Sequence, residues 1–406
     1  MKQITISHPV ARLNGRLSIT GSKSESNRLL VLQSLYPELQ IHNLSNSDDT
    51  QAMQNGLSSN ASIIDIGHAG TTMRFLTAFY ASQEGIEKVL TGSKRMQERP
   101  ISVLVDALRQ LGADISYEKN EGYPPLRIRG KKFTNHQVTL AANVSSQYIS
   151  ALLLIAPKLP NGLHLKLQGK ITSVPYIEMT CALMRQLGVD VVFEGQDIRV
   201  APLGNLVSKE VWVESDWSSA SYSFGLAALA KDANLSLTTY KSDSLQGDRV
   251  LVDIYRQLGV SAGLGENQLA LSKSADGVNE LVCDLANAPD IAQTIAVSCF
   301  GIGVGCHLTG LHTLKIKETD RLLALQTELS KLGADIDVTD NSLHLKPRLG
   351  AIVPNVAIDT YHDHRMAMAF APLGLLVPIT INDPEVVSKS YPSFWSDFED
   401  LGFVLN

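Results

Sequence analysis

Cysteine is scarce in this chain. The four present among 406 residues, Cys181, Cys283, Cys299 and Cys306, include no CxxC pair. So few thiols in so long a chain exclude a disulfide framework and suit a reducing compartment, where each reads as a small buried hydrophobe. Long apolar runs are missing as well. The most apolar stretches, near Ala151 to Pro157 and Phe370 to Ile381, are too short or too interrupted by Gly and Pro to span a bilayer. The opening MKQITISHPVARLNGRLSIT alternates like a strand and holds no continuous apolar segment, unlike a secretory signal. A cytoplasmic protein is expected, with no membrane partner. Excess positive charge is also lacking: 35 Lys and Arg against 41 Asp and Glu give a net charge of −6. The field of the whole molecule therefore gives no help to nucleic-acid binding, and any anion must be held by a local basic cluster.

What is present is globular. Hydrophobic residues make up 44% and charged residues 19%, which excludes disordered, coiled-coil and collagen-like classes, and the length predicts two or three compact units. One phrase recurs: a helical stretch closing on Leu-Gly, followed by a short β-like run. It appears as DALRQLGADI, CALMRQLGVDVV, IYRQLGVSAG, ELSKLGADIDV and FEDLGFVL, with Gly112, Gly188, Gly259, Gly333 and Gly402 separated by 76, 71, 74 and 69 residues. Glycine at the end of a helical run is the usual left-handed cap, so each copy marks a helix stop. A second phrase opens with polar residues and continues apolar on nearly every face: GHAGTTMRFLTAFYA, NVSSQYISALLLIA, SDWSSASYSFGLAALA, NAPDIAQTIAVSCF and YHDHRMAMAFAPLG. Its landmarks Gly70, Ser145, Trp217, Asp290 and Asp363 are spaced 75, 72, 73 and 73. A shorter sixth copy begins at GSKSESNRLLVLQSL and passes through TQAMQNGL.

A helix apolar all round must be buried, whereas the helices ending in Leu-Gly keep a polar face. Each unit therefore has one inner and one outer helix, with strands between them. The repeat is β-α-β-α-β-β and the class is α/β, with three repeats in each half of the chain. The polar starts of the inner helices offer unpaired N–H donors and partial positive charge, which suits anions.

Cations gather at these starts: Lys23 and Arg28 in GSKSESNR, Arg74 in GHAGTTMR, Lys94, Arg95 and Arg99 in LTGSKRMQERP, Lys317 and Arg321 in KIKETDR, Arg365 in HDHR and Lys389 in SKSYP. Phosphate and carboxylate are what such donors recognise. A P-loop is excluded, because the position that needs its first glycine is Leu17. His362 and His364 lack partners at metal-ligand spacing, so no metal is expected.

With GSKSESNR, GHAGTTMR, RMQERP, SSQY, SVPY, KIKETDR, YHDHRMAM and SKSYP in order, the sequence resembles the 5-enolpyruvylshikimate-3-phosphate synthase family nearly end to end. The resemblance implies two domains of three repeats around a pseudo-threefold axis, 1–17 with 217–406 and 18–216, and an active site in the cleft between them. It implies transfer of a carboxyvinyl group from phosphoenolpyruvate to the 5-hydroxyl of shikimate 3-phosphate, without a cofactor. Carried across, shikimate 3-phosphate would be held by Lys23, Ser24, Arg28, Ser145, Ser146, Gln147, Ser173, Tyr176, Asp290, Thr313 and Lys317. Phosphoenolpyruvate would be held by Lys23, Gly70, Thr71, Arg95, Gln147, Arg321, Arg365 and Lys389. By the same resemblance Asp290 takes the hydroxyl proton and Glu318 protonates the methylene carbon, with Lys23 beside them; a carboxyl used as an acid should lie in a largely desolvated site. Four positions, His68, Phe75, Val174 and Thr313, depart from the commoner family pattern. A monomer is expected. Two other readings are a carboxyvinyl transferase acting on UDP-N-acetylglucosamine, which commonly uses a cysteine in its first domain, and a non-catalytic anion-binding paralogue.

Overall fold

The structure, a computed structural model, describes residues 2–142, 145–274 and 277–406. The chain divides into two compact units, Met1–Thr20 with Glu214–Asn406, and Gly21–Val213. The divisions fall between Thr20 and Gly21 and between Val213 and Glu214, each three residues from the boundary read from the sequence.

Each repeat begins with a strand, an inner helix and a second strand parallel to the first, then adds an outer helix and an antiparallel hairpin. In the unit Gly21–Val213, Ile63–Asp65 and Glu87–Thr91 are parallel and joined through the inner helix Gly70–Ala81; Leu126–Arg129 and Asp114–Tyr117 extend the sheet antiparallel. The strands Gln137–Ala141, Leu163–Gln168, Asp197–Val200 and Val191–Glu194 repeat that order around the inner helix Ser146–Ile155. The other unit has three four-stranded sheets of the same order, with inner helices Trp217–Leu229, Ala292–Ile302 and His364–Phe370. In the last of them, Gln3–Ser7 fills the hairpin position, pairing antiparallel with Ile379–Asn382 from Gln3↔Asn382 to Ile6↔Ile379.

The copy containing TQAMQNGL has only a two-stranded sheet, Leu39–His42 with Lys209–Trp212. Its opening strand is exchanged with that of the fourth repeat. Arg12–Leu17 precedes the inner helix Lys23–Leu35 in the chain but pairs parallel with Asp232–Thr238. Lys209–Trp212 precedes Trp217–Leu229 but pairs parallel with Leu39–His42. These two exchanged strands lie just before the two points where the chain divides.

All five Leu-Gly glycines adopt the left-handed conformation expected of them, with φ between 76° and 105°. Gly56 in TQAMQNGL behaves differently, lying inside the helix Asp48–Ser58. A Cβ there would come 2.4 Å from Leu76 Cδ1, so glycine is needed for close packing against Gly70–Ala81 rather than for a cap.

The inner helices are buried as their composition requires. In Gly70–Ala81 every residue except Thr71 is buried, in Ser146–Ile155 every residue except Gln147, and in Trp217–Leu229 every residue except Ser218. These accessible residues all lie in the first helical turn, as do Lys23 and Ser24 of Lys23–Leu35. In Gly70–Ala81, Ser146–Ile155 and Trp217–Leu229 packing thus hides the body of the helix and leaves its polar start available, whereas His364–Phe370 is buried throughout and Ala292–Ile302 is buried from Ala292 to Gly301. No helix among the described residues is long and apolar enough to cross a membrane.

Candidate active site

In the unit Gly21–Val213, Ser22 caps the first inner helix by accepting from Glu25 N at 3.4 Å. That fixes Lys23 at the helix start, with Nζ 3.3 Å from Asp49 Oδ2. Asp49 is buried in the first turn of Asp48–Ser58, and its Oδ1 has no hydrogen-bond partner among the described residues. Arg28 lies one turn beyond Ser24 and is 2% exposed. It donates to Thr180 Oγ1 at 2.7 Å, Ser24 O at 2.8 Å, Ser150 Oγ at 3.0 Å and Tyr176 O at 3.2 Å, and its guanidinium sits 5.5 Å from the centre of the Phe75 ring. Burial pulls its pKa down to about 10 against the opposing influence of Tyr176 and Glu25. Arg28 therefore fastens three helices together through four of its five N–H groups.

Ser145 caps the third inner helix of this unit, accepting from Gln147 N at 3.4 Å, and Gln147 Nε2 donates to Thr71 Oγ1 at 3.1 Å. Two inner-helix starts thereby meet side chain to side chain. Ser146, next to Gln147, is buried. Gly70 begins its helix, where a Cβ would lie 2.6 Å from Arg99 Nη1, so the missing side chain lets a second cation lie over the helix start. Arg95 is half-exposed, 3.6 Å from Glu98. Ser173 is buried in the left-handed conformation, φ 53°, ahead of the helix Val174–Gln186, and its side chain makes no capping bond.

The other unit holds a denser cluster. Arg321, 1% exposed, begins the helix Arg321–Lys331 and bonds three carboxylates: Asp363 Oδ2 at 2.7 Å, Asp290 Oδ1 at 2.9 Å and Glu318 Oε2 at 2.9 Å. Asp290 also lies 3.4 Å from Lys317 Nζ and 3.3 Å from Arg365 Nη2, while Glu318 lies 2.5 Å from Lys389 Nζ. Burial alone would push the Asp290 carboxyl up, but Arg365, Lys317 and Arg321 together hold it well below the usual carboxylate range. Burial lowers Lys317, assisted by the charges of Arg321 and Arg365 and opposed by Asp290 and Glu318. Thr313, in the short helix His312–Ile316, keeps a buried hydroxyl with no hydrogen-bond partner among the described residues.

The starts of these inner helices also meet. Arg365 Nη2 donates to Ser218 Oγ at 3.3 Å, and Ser218 in turn donates to the buried Asp248. Burial first, and the negative charge of Asp290 second, push Asp248 up to about 7, against the Ser218 bond and the Arg365 charge. A carboxyl with a raised folded-state pKa favours the fold at low pH and penalises it as pH rises through the folded value. Moving it from 3.8 to about 7 corresponds to a penalty on the order of 4 kcal/mol above pH 7. Asp248→Asn should therefore stabilise the protein by about 2–4 kcal/mol at pH 8, with a smaller gain at pH 5. Denaturant unfolding at the two pH values checks this; equal gains at both would contradict it.

The structure thus brings Asp290, Glu318, Lys317, Arg321, Arg365 and Lys389 into one connected network, and it joins Gln147 to Thr71. Arg95 pairs with Glu98, and Ser173 precedes its helix without capping it, while Tyr176 meets Arg28 through its backbone oxygen and, 6.0 Å from the guanidinium, its ring. Sequence reasoning missed the partner carboxylates Asp49, Asp248 and Asp363 as site residues. Each sits at or near a helix start, where an acidic residue is ordinarily explained by capping or by the helix dipole. For Asp363, the signal was its place between two histidines ahead of Arg365.

A family model described as EPSP synthase (3-phosphoshikimate 1-carboxyvinyltransferase) matches residues 54–398. A protein of Bacteroides fragilis (strain YCH46) named 3-phosphoshikimate 1-carboxyvinyltransferase is 46% identical over 397 residues, covering 97% of this chain and 96% of that one. One of the same name from Haemophilus influenzae (strain PittEE) is 36% identical over 433 aligned positions, covering 99% of both. Among solved structures, EPSP synthase from Acinetobacter baumannii matches with a TM-score of 0.81 at 22% identity over 100% of both chains. The enolpyruvyl transferase NikO from Streptomyces tendae matches with a TM-score of 0.75 at 15% identity, over 100% of this chain and 98% of that one. The last two likenesses show the fold; the family match and the end-to-end identities show that this chain belongs to the EPSP synthase (3-phosphoshikimate 1-carboxyvinyltransferase) family.

Proposed function

We propose that the chain transfers the carboxyvinyl group of phosphoenolpyruvate to the 5-hydroxyl of shikimate 3-phosphate, releasing inorganic phosphate, in aromatic amino-acid synthesis. The observation that carries the mechanism is the sharing of one buried guanidinium, Arg321, by Asp290 and Glu318, while cations at their outer sides hold each of them further. The cations around the two carboxylates are those assigned to the substrates: Lys317 to shikimate 3-phosphate, and Arg321, Arg365 and Lys389 to phosphoenolpyruvate. A substrate phosphate or carboxylate competes for these donors, weakening their hold on the protein's own carboxylates. Substrate binding thus converts a self-neutralised network into a base and an acid.

Asp290, relieved of part of its cationic surroundings, accepts the 5-hydroxyl proton. Glu318 donates a proton to the methylene carbon, and the positive charge developing on the adjacent carbon is met by the 5-oxygen. The resulting tetrahedral intermediate loses phosphate as Glu318 removes a proton from the new methyl group, restoring the double bond. Each step is a proton transfer, an addition or an elimination at carbon, so the named side chains supply the groups required. Lys23, Gln147 and Thr71 belong to the unit Gly21–Val213, and Asp290 and Glu318 to the other.

The rival acceptor UDP-N-acetylglucosamine is disfavoured by the cysteines. None precedes Cys181, which is itself fully buried, and burial pushes its thiol up to about 12. We place the enzyme in the cytoplasm as a monomer. Phosphate release from phosphoenolpyruvate, measured separately with each acceptor, tests the reading. Release with shikimate 3-phosphate alone is expected; release with the nucleotide sugar, or with neither, would overturn it.

A further inference from the structure

Asp363, which bonds Arg321 and caps Arg365 N, directly follows a turn whose backbone is intrinsically disfavoured. Tyr361 and His362 both adopt left-handed conformations, φ 54° and 56°. Two such residues in succession, both with a Cβ, persist only where their surroundings over-determine them. Asp363 N closes the turn onto Thr360 O at 2.8 Å. Outside the turn, His362 Nδ1 lies 3.2 Å from Asp383 Oδ2, but that side chain is 92% exposed and holds little. The firm anchor is Tyr361, whose hydroxyl donates to Glu328 Oε1 at 2.6 Å.

Glu328 is wholly buried and also accepts from Lys331 Nζ at 2.7 Å and Asp359 N at 3.1 Å. Asp359 is in turn held by Asn382 Nδ2 at 2.7 Å. Glu328 follows Arg321 by seven residues on the same helix, two turns along and on the same face. That helix grips the turn twice, through Glu328 on Tyr361 and through Arg321 on Asp363. Immediately after the turn, Asp363 accepts from Arg321 Nε at 2.7 Å and caps Arg365 N at 2.9 Å.

We propose that Glu328 and Tyr361 are positioning residues for the reaction, their hydrogen bond holding the left-handed turn so that Asp363 fixes the two arginines that receive phosphoenolpyruvate. This rests on the function proposed above. Tyr361→Phe and Glu328→Ala should each raise the KM for phosphoenolpyruvate about 10-fold, with the KM for shikimate 3-phosphate changed much less. Glu328→Gln, whose amide can still bond the Tyr361 hydroxyl, should largely restore the wild-type value. Combining Tyr361→Phe with Glu328→Ala should add little to Glu328→Ala alone, which already removes the Tyr361 bond along with those to Lys331 and Asp359.

Hydrogen–deuterium exchange of the segment 359–368 supplies a readout that needs no turnover. It should speed up in Tyr361→Phe and Glu328→Ala and stay near wild type in Glu328→Gln. Unchanged exchange in the first two variants overturns the proposal, and so does an unchanged KM for phosphoenolpyruvate in variants whose wild-type parent releases phosphate. A wild-type protein that releases none would instead sink the proposed function, leaving the exchange measurement to decide whether the turn is anchored as described.

Discussion

Asp290→Asn will cut turnover by about 10²-fold or more while leaving the protein folded and its KM for phosphoenolpyruvate no higher. The amide keeps nearly the same shape and its single oxygen can still accept from Arg321, but its NH2 group then faces Arg365 and it cannot take up the hydroxyl proton. It also removes an anion that competes with substrate for Arg321, Arg365 and Lys317, all within 3.4 Å in this structure. A purely structural ion pair would behave otherwise, with thermal stability falling and turnover of the surviving folded protein staying near normal. Steady-state kinetics beside a melting curve separate the two cases, and near-normal turnover would refute the assignment.

Lys23→Met should be still more damaging, because this cation is assigned to both substrates. Losing two charge-assisted hydrogen bonds of about 1.5–3 kcal/mol each lowers kcat/KM by about 10²- to 10⁴-fold. The variant also leaves Asp49 as a buried carboxylate without the cation 3.3 Å away. Stability should therefore drop by about 3 kcal/mol. Adding Asp49→Asn removes the orphaned charge, so the double variant should regain much of the stability and none of the activity. Recovery of activity together with stability would show that Lys23 acts only through Asp49.

Much of this architecture was legible in the sequence because it is repeated. A helix end written five times as Leu-Gly needs only local chemistry to be read, and all five glycines take the backbone that reading requires. The inner helices were equally legible, since a helix without a polar face has to be buried. The exchange of Arg12–Leu17 and Lys209–Trp212 between repeats was less accessible. Strand partners are chosen across about 200 residues, and both strands fit either sheet on composition. Gly56 shows a similar limit: glycine permits a left-handed cap or a close helix contact, and only the nearby Leu76 decides which.

The site divides along the same line. Cations at helix starts stood out because the protein is acidic overall, and the resemblance in the motifs suggested the roles proposed for Asp290 and Glu318. The carboxylates that hold those cations, Asp49 and Asp363, read locally as helix-start residues. Tyr361 and Glu328 lie 33 residues apart, and nothing in the sequence around either one names the other.

The central claim is an addition followed by an elimination at the methylene carbon of phosphoenolpyruvate, run by Asp290 and Glu318. Proton and phosphorus NMR of the chain with shikimate 3-phosphate and phosphoenolpyruvate in heavy water tests it in one experiment. Protonation of that carbon makes a transient methyl group containing one solvent deuteron, and elimination can then remove a different hydrogen. The account predicts inorganic phosphate rising in step with a vinyl ether whose methylene carries solvent deuterium. A product methylene free of deuterium, or no phosphate at all, would contradict it.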